Sequence, residues 1–304
     1  HENYNWLEDI KTLRKILSPL CILFNKLSFK NLKGDFIKLI FKEIFPSKIR
    51  HSMGEFYTPD WIAKYIISNS IKGDSNLANK KFLDPTCGSG TFLVETINRF
   101  LPDDKSIFDR VFGIELNPLS ALAAKTNIII LVQEYLSSYP EGYFIPIFNT
   151  DVMDASLYNI NPDLLSDNEN KKIKINHHEI EIDINNLNYL NLIDVYKSIN
   201  LEGNSLRNLD CTQKKLFSTL SEPSLKDSLD AIISILAPFT LNEINYIIGN
   251  PPWVNWEYLP KEYKEKTSDL WRHYDLYDLR GIDSSFIKED ISCLITYTVI
   301  DRHL

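Results

Sequence analysis

The spacing of apolar positions changes period along the chain. From residue 4 to 45 it is helical: Leu13, Ile16, Leu17 and Leu20 form one stripe, and Phe36, Ile37, Ile40, Phe41, Ile44 and Phe45 another. Pro46 ends the second run. A further helix is predicted in "GEFYTPDWIAKYII", with Thr58 as N-cap, Pro59 in the first turn, and Trp61, Ile62, Tyr65 and Ile66 as the apolar face. Beyond it, short apolar runs bounded by turn residues alternate with helical stretches. "KKFLDP", "RVFGIEL", "YFIPIFNTD" and "INYIIGN" read as strands, "GTFLVETINRF" and "PLSALAAKTNIIILVQEYL" as helices. This alternation predicts an α/β fold, a parallel sheet flanked by helices, with ligands at the carboxyl ends of its strands.

Residues 155–240 interrupt the rhythm, and a connection of that length between two strands reads as an inserted subdomain. Within it, "KKIKINHHEIEIDI" alternates polar and apolar positions as a hairpin does, and 212–237 reads as helical. His177 and His178 fall at the hairpin turn without further ligands at useful spacing, so they read as solvated residues and not as a metal site. The last segment, "DISCLITYTVIDRHL", predicts a helix that packs on the sheet through Ile291, Leu294, Ile295 and Ile300. The expected organisation is an N-terminal helical region over 1–50, a cofactor-binding half over 51–154, the insertion over 155–240, and a final segment over 241–304.

Composition narrows the class. In 304 residues, 44% are hydrophobic and 24% charged, as in a soluble globular protein. No apolar run approaches the ~18 residues of a membrane helix, and no signal-peptide pattern opens the sequence. Cys21, Cys87, Cys211 and Cys293 are far apart, which fits a reduced, cytoplasmic protein without structural zinc. The net charge of −8 opposes a nucleic-acid grip spread over the whole surface, so any DNA partner is expected to be held largely from elsewhere.

Two stretches carry candidate chemistry. In "FLDPTCGSGTFLVETI" a strand ends at Asp84, a turn carries Gly88 and Gly90, and a helix begins near Thr91. Two glycines alone fit any tight strand-to-helix turn. The next strand, however, ends in Glu115, placed to accept both hydroxyls of a ribose, and the third ends in Asp151, placed to accept an adenine amino group. Leu93 stands where a dinucleotide fingerprint has its third glycine, so one nucleoside with a non-phosphate tail is the expected ligand. The second stretch, "NYIIGNPPWVNW", ends a strand on Gly249 and then presents Asn250, Pro251, Pro252 and Trp253.

In this order, "GEFYTPDWIA", "DPTCGSGTF", "GIELNP", "NTDVMD" and "NPPW" resemble the motifs of amino-group DNA methyltransferases that use S-adenosylmethionine. The likeness is strongest to the N6-adenine enzymes of restriction–modification and phage-exclusion systems, and covers roughly residues 50–154 and 241–304. It implies a Rossmann-like class I methyltransferase core. It also implies that Tyr57 and Thr58 border the methionine part of the cofactor. Asp84, Thr86, Gly88 and Gly90 would shape its pocket, Glu115 and Leu116 would hold the ribose and adenine, and Asp151 and Val152 the adenine amino group and ring.

The same resemblance places Asn250, Pro251, Pro252 and Trp253 at the reacting base. The adenine amino nitrogen is a poor nucleophile, because its lone pair is delocalised into the ring. The Asn250 side-chain oxygen and the Pro251 carbonyl can each accept one of its hydrogens, and proline holds its carbonyl in place. Trp253 would stack on a base flipped out of duplex DNA. The expected partners are double-stranded DNA and either a specificity subunit or a fused target-recognition domain, with no membrane. Methylation of a protein glutamine or an RNA guanine remains an alternative, as does an inactive cofactor-binding scaffold. With only four strand signals, further strands of the sheet are expected to be missing, and the 304 residues alone are expected to bind cofactor weakly and to lack site-specific methylation.

Overall fold

The four short apolar runs pair as one parallel sheet. The computed structural model describes residues 58–101, 104–133, 135, 144–154, 171–175, 178–182, 188–201, 222–276 and 289–304, together with Ser18 and Ile22. Two units are distinguished, His1–Lys33 and Gly34–Leu304. In the first, Ser18 and Ile22 are helical, and the remainder of the helical pattern expected over 4–45 lies outside the described residues.

In the second unit the chain runs through α1 (Asp60–Ser70), β1 (Phe82–Asp84), α2 (Thr91–Phe100), β2 (Val111–Glu115), α3 (Pro118–Val132) and β3 (Ile147–Asn149). An antiparallel hairpin follows, β4 (Lys171–Ile175) with β5 (His178–Ile182), as the alternating pattern predicts. Then come α4 (Tyr189–Tyr196), α5 (Glu222–Thr240), β6 (Tyr246–Ile247), α6 (Lys261–His273) and α7 (Ile291–His303).

The sheet order is β3-β2-β1-β6, parallel throughout. From β1 the chain steps outward to β2 and β3. It then returns to place β6 on the other side of β1, so the strand order reverses between β1 and β6. In open α/β sheets that reversal opens a crevice at the strands' carboxyl ends. The structure is therefore a Rossmann-like α/β fold.

Because the strands are parallel, both faces must be covered, and successive strand residues are buried on opposite sides. Phe82, Val111 and Ile147 face α1, α2 and α3 through Ile67, Phe92, Leu93, Ile97 and Ile128. Leu83, Phe112, Ile114 and Phe148 face Leu192, Ile232, Leu236, Trp271 and Leu294, drawn from α4, α5, α6 and α7. Thus α4 and α5, which lie within 155–240, form part of the core's second face.

Three expectations change. The N-cap of α1 is Pro59, whose extended backbone puts its carbonyl at the helix start, where it accepts from the N–H groups of Ile62 and Ala63. Thr58 precedes the cap. The buried face of α1 is Ala63 and Ile67, not Trp61, Tyr65 and Ile66, which are exposed. Small Ala63 lets the helix approach α2 closely, where Lys64 reaches the buried Glu95. In α7, Ile300 is exposed while Thr298 and Val299 are buried. The Thr298 hydroxyl satisfies itself on the carbonyls of Leu294 and Ile295, which lets a polar residue occupy the core.

Leu93, in the place of a third glycine, is buried beneath β2. The close approach of helix and strand is provided from the strand side instead. A Cβ on Gly113 would lie 2.7 Å from both Leu93 and Ile147 and 3.0 Å from the Cys87 sulfur. Gly113→Ala is expected to destabilise the protein by ~1–3 kcal/mol through overpacking, measured as a lower midpoint in urea unfolding with an unchanged slope.

Candidate functional site

The loop after β1 is shaped by its glycines and held by its neighbours. Gly88 and Gly90 have φ of 54° and 88°, which only glycine adopts at little cost. Gly90 also sits so close to α3 that a Cβ there would lie 3.2 Å from the Ala124 Cβ. The Asn127 side chain of α3 donates to the Ser89 carbonyl at 3.0 Å, and the Cys87 N–H donates to Ile114 of β2 at 2.9 Å. The loop is thereby fixed to both elements that follow it.

Glu115, at the end of β2, completes this frame. One carboxylate oxygen accepts the Gly88 N–H at 2.7 Å and the other the Asn117 N–H at 2.8 Å. Its backbone is fixed from β3: the Asn149 amide donates to the Glu115 and Leu116 carbonyls at 2.8 and 3.0 Å, and the Thr150 N–H to Glu115 at 3.1 Å. Sequence reasoning passed over Asn149. Its position at a strand end, just before the expected Asp151, is the signal that could have found it.

Asp84 lies at the crevice itself. It is 2% exposed and accepts the Thr86 N–H at 3.2 Å. Burial, with the Glu115 charge adding to it, pushes its carboxyl up to about 8. A small cleft opens beside it, lined by Asp84, Thr58, the loop residues Thr86 to Ser89, the start of α2 and Asn250. No lysine or arginine is among its lining residues. The Thr86 hydroxyl is buried without a hydrogen-bond partner. An uncompensated acid, an unsatisfied hydroxyl and free space suit a ligand that brings a cationic donor, whereas a phosphate would find no basic side chain.

The turn after β6 reaches the same cleft. Asn250, Pro251 and Pro252 are half-buried, and Trp253 is exposed. The Trp253 indole N–H donates to the Asn250 side-chain oxygen at 3.0 Å. Beyond the turn, the Trp256 N–H bonds to the Glu289 carbonyl and the Ile291 N–H to the Val254 carbonyl, each at 2.9 Å. The turn is thus tied to the start of α7.

The adenine end of the expected site is built differently. Asp151 is buried and accepts the Met153 N–H at 3.0 Å, the Tyr263 hydroxyl at 3.2 Å and the Lys266 ammonium at 2.8 Å. Lys266 bridges onward to Asp154. Burial and the nearby Asp151 raise the Tyr263 hydroxyl well above its ordinary value, and burial raises Asp154. Helix α6 therefore lies over Asp151. Its mostly charged sequence reads as a solvated face and gave no sign of this contact. Leu116 is exposed beside the strand ends, and Val152 is packed into the second-face core. Tyr57 and His177 lie outside the described residues, as does the His178 side chain. Among the described residues no group of three or more His, Cys, Asp or Glu is arranged to hold a metal, and no helix is long and apolar enough to cross a membrane.

Residues 32–138 match the protein family described as N-6 DNA Methylase. The chain is 32% identical over 120 residues to the Type I restriction enzyme MjaVII methylase subunit of Methanocaldococcus jannaschii, an overlap of 38% of this chain and 19% of that protein. It is 31% identical over 121 residues to the MjaVIII methylase subunit of the same organism, again 38% of this chain and 19% of the relative. The resemblance carried by the motifs thus holds over the part of the chain that bears Asp84, Gly88, Gly90 and Glu115. Asp151 and the Asn250–Trp253 turn lie beyond the family match.

Asp84 should leave a mark on stability. Its folded value, about 8, stands above the ordinary carboxylate value of 3.8. The folded protein therefore holds a proton that the unfolded chain releases, and stability is lost as pH rises through about 8. His303 has the opposite sense: burial lowers it to about 4, so its contribution is lost only as pH falls below its ordinary 6.5. Between pH 6.5 and 8.5 the Asp84 effect should dominate this pair. Asp84→Asn is expected to flatten the decline and to raise stability at pH 8.5 by ~1–3 kcal/mol, read from urea unfolding across that range.

Proposed function

We propose that this chain, with its N-6 DNA Methylase match over residues 32–138 as the premise, directs a methyl group from S-adenosylmethionine to the N6 nitrogen of adenine in DNA, as the catalytic part of a restriction–modification system. The observation that carries this reading is the meeting of Asp84 and Asn250 in one cleft where the strand order reverses between β1 and β6. A cofactor-side acid and a base-side amide acceptor are brought from 166 residues apart (84 to 250) to one crevice.

The residues fit the cofactor on the chemistry of the cleft. Asp84 would accept the methionine ammonium, whose charge returns the carboxyl to its ionised form. The unsatisfied Thr86 hydroxyl and the N–H groups at the start of α2 suit the methionine carboxylate. Glu115 would accept the ribose hydroxyls, and its bonds to Gly88 and Asn117 hold it still. When bound, S-adenosylmethionine supplies an electrophilic methyl on a sulfonium.

The chain's part in the chemistry is to prepare the nucleophile. Asn250 Oδ1 and the Pro251 carbonyl accept the two hydrogens of the amino group and draw its nitrogen from planar towards tetrahedral geometry. No strong base is called for, because the nitrogen becomes acidic only as it gains the methyl. The two prolines limit reorganisation at the turn. Trp253, exposed and bonded to Asn250, offers a face on which an extruded base can stack.

DNA recognition falls to another part of the system. The relatives are named methylase subunits of type I restriction enzymes, and a methylase subunit works with partners. We assign sequence choice to a specificity subunit or a fused recognition domain, in keeping with the net charge of −8.

Methyl transfer to duplex DNA by the native polypeptide, followed with isotopically labelled cofactor, is the direct test. Asn250→Ala is expected to lower turnover ~100-fold, the scale of a lost positioned hydrogen-bonding group, with cofactor affinity by calorimetry nearly intact. Methylation at close to the normal rate in that variant would remove Asn250 from the mechanism. Glu115→Ala loses its acceptors and its hold on Gly88, and is expected to weaken cofactor binding by ~2–3 kcal/mol. Calorimetry showing unchanged affinity would move the site elsewhere.

A further inference from the structure

Asparagine branches into an acceptor and a donor that differ little in shape, and only one of them can serve an incoming N–H. A catalytic turn that relies on Asn250 as acceptor has to keep the amide from turning over. Among its contacts is Trp253, whose indole nitrogen donates to Oδ1 at 3.0 Å. An indole N–H has no acceptor capacity. With the amide reversed, Nδ2 would face that N–H donor to donor, and the bond would be lost.

We propose that Trp253 is a positioning residue for Asn250: the edge of its indole fixes the polarity of the amide so that the oxygen, not the nitrogen, is kept for the substrate amino group. This rests on the reading of Asn250 given above. The carbonyl oxygen has two lone pairs and can hold the Trp253 bond while accepting a second hydrogen. The ring's two functions do not compete, because the N–H lies in the ring plane while stacking uses the face. Pro251 and Pro252 stand between the partners and restrict the backbone of the turn, so holding them three residues apart in contact costs little conformational freedom. Phenylalanine would preserve the stacking face and lose the edge. That difference separates positioning from stacking.

The bond can be read without turnover. In the chain labelled with 15N-tryptophan, the Trp253 indole signal is identified by its loss in Trp253→Phe. Asn250→Leu, which offers no acceptor, is expected to shift that signal to the position of a solvated indole. Asn250→Asp, which retains one, should leave it near its original place. The other four tryptophans serve as internal references for an unchanged fold. A Trp253 signal unmoved by Asn250→Leu overturns the proposal.

Turnover supplies the second arm, in the native polypeptide on duplex DNA. Trp253→Phe is expected to lower kcat roughly 3- to 10-fold, the scale of one neutral hydrogen bond, with KM for DNA little changed. Trp253→Ala should raise KM as well, because the stacking face is also gone. A Trp253→Phe enzyme with wild-type kcat overturns the positioning role while leaving the methyltransferase reading intact. Absence of methyl transfer by the unaltered polypeptide, with the indole signal still responding to Asn250→Leu, overturns the activity and with it the catalytic purpose of the bond.

Discussion

The site depends on how closely the end of β6 approaches the end of β1. Parallel pairing sets Leu83 beside Ile247, two residues before Gly249. At Gly249 a Cβ would stand 2.4 Å from an Asp84 carboxylate oxygen. Any side chain there would push the Asn-Pro-Pro-Trp turn away from the acid or force the acid out of its place. A glycine at this one position lets two strand ends share a wall, and the cleft exists because they do. The pairing is short, two residues of β6 against β1, so the turn needs support from beyond the sheet. It gets it at the start of α7, where Val254 and Trp256 bond to Ile291 and Glu289.

That closeness has an electrostatic consequence. Asp84 is buried against the returning strand with Glu115 nearby, and its carboxyl is held high. Several other buried polar groups are matched, though Arg110 and Arg302 each bury an Nε without a hydrogen-bond partner. Glu95 has Lys64, Asn127 spends its amide on the Ser89 carbonyl, and His303 stays neutral with Nδ1 on the Leu241 carbonyl at 2.6 Å. Asp84 and Thr86 sit poorly satisfied beside a cleft with room for a ligand, where binding can relieve the deficit. The same acid that destabilises the free protein at alkaline pH is the one best placed to hold a cation.

What the sequence disclosed follows from the range of the forces involved. The four strands were legible because each is a short apolar run cut off by a turn residue, and the loop glycines because their backbone conformation admits little else. Their order in the sheet was not, since no local pattern says that β6 returns beside β1. The sheet edge it forms among the described residues came as a reversal around β1, not as an interior strand. The face of α1 was misread because the largest side chains, Trp61 and Tyr65, were taken for the core. Close helix packing instead selected small Ala63 and, one turn on, Ile67. Asp84, Thr86 and Gly88, which line the cleft, could be named in advance because they fall within one short stretch of chain. Asn149 and Lys266 could not, because their roles exist only through contacts with Glu115 and Asp151 far along the chain. Likewise, a helix within 212–237 was legible, but α4 was not, nor was the use of α4 and α5 as the second face of the main core.

The two ends of the site differ in how readily they can receive a ligand. At the Asp84 end, an acceptor and a hydroxyl face open space, and binding adds bonds where few exist. At the Asp151 end, the acceptor already holds Met153, Tyr263 and Lys266, so an amino group that is to use it must share it with a donor from α6 or take that donor's place. Lys266 is the easier to displace. It is partly solvated, and on leaving Asp151 it keeps Asp154. Tyr263 is more enclosed, and its hydroxyl would lose a charged acceptor. The exchange at this end is therefore close to balanced, with one donor replaced by another and the ion pair only half dissolved. On the proposed reading the two ends therefore do different work: Asp84 exchanges its proton for a cationic donor, while Asp151 favours a group that can donate as well as the lysine it meets.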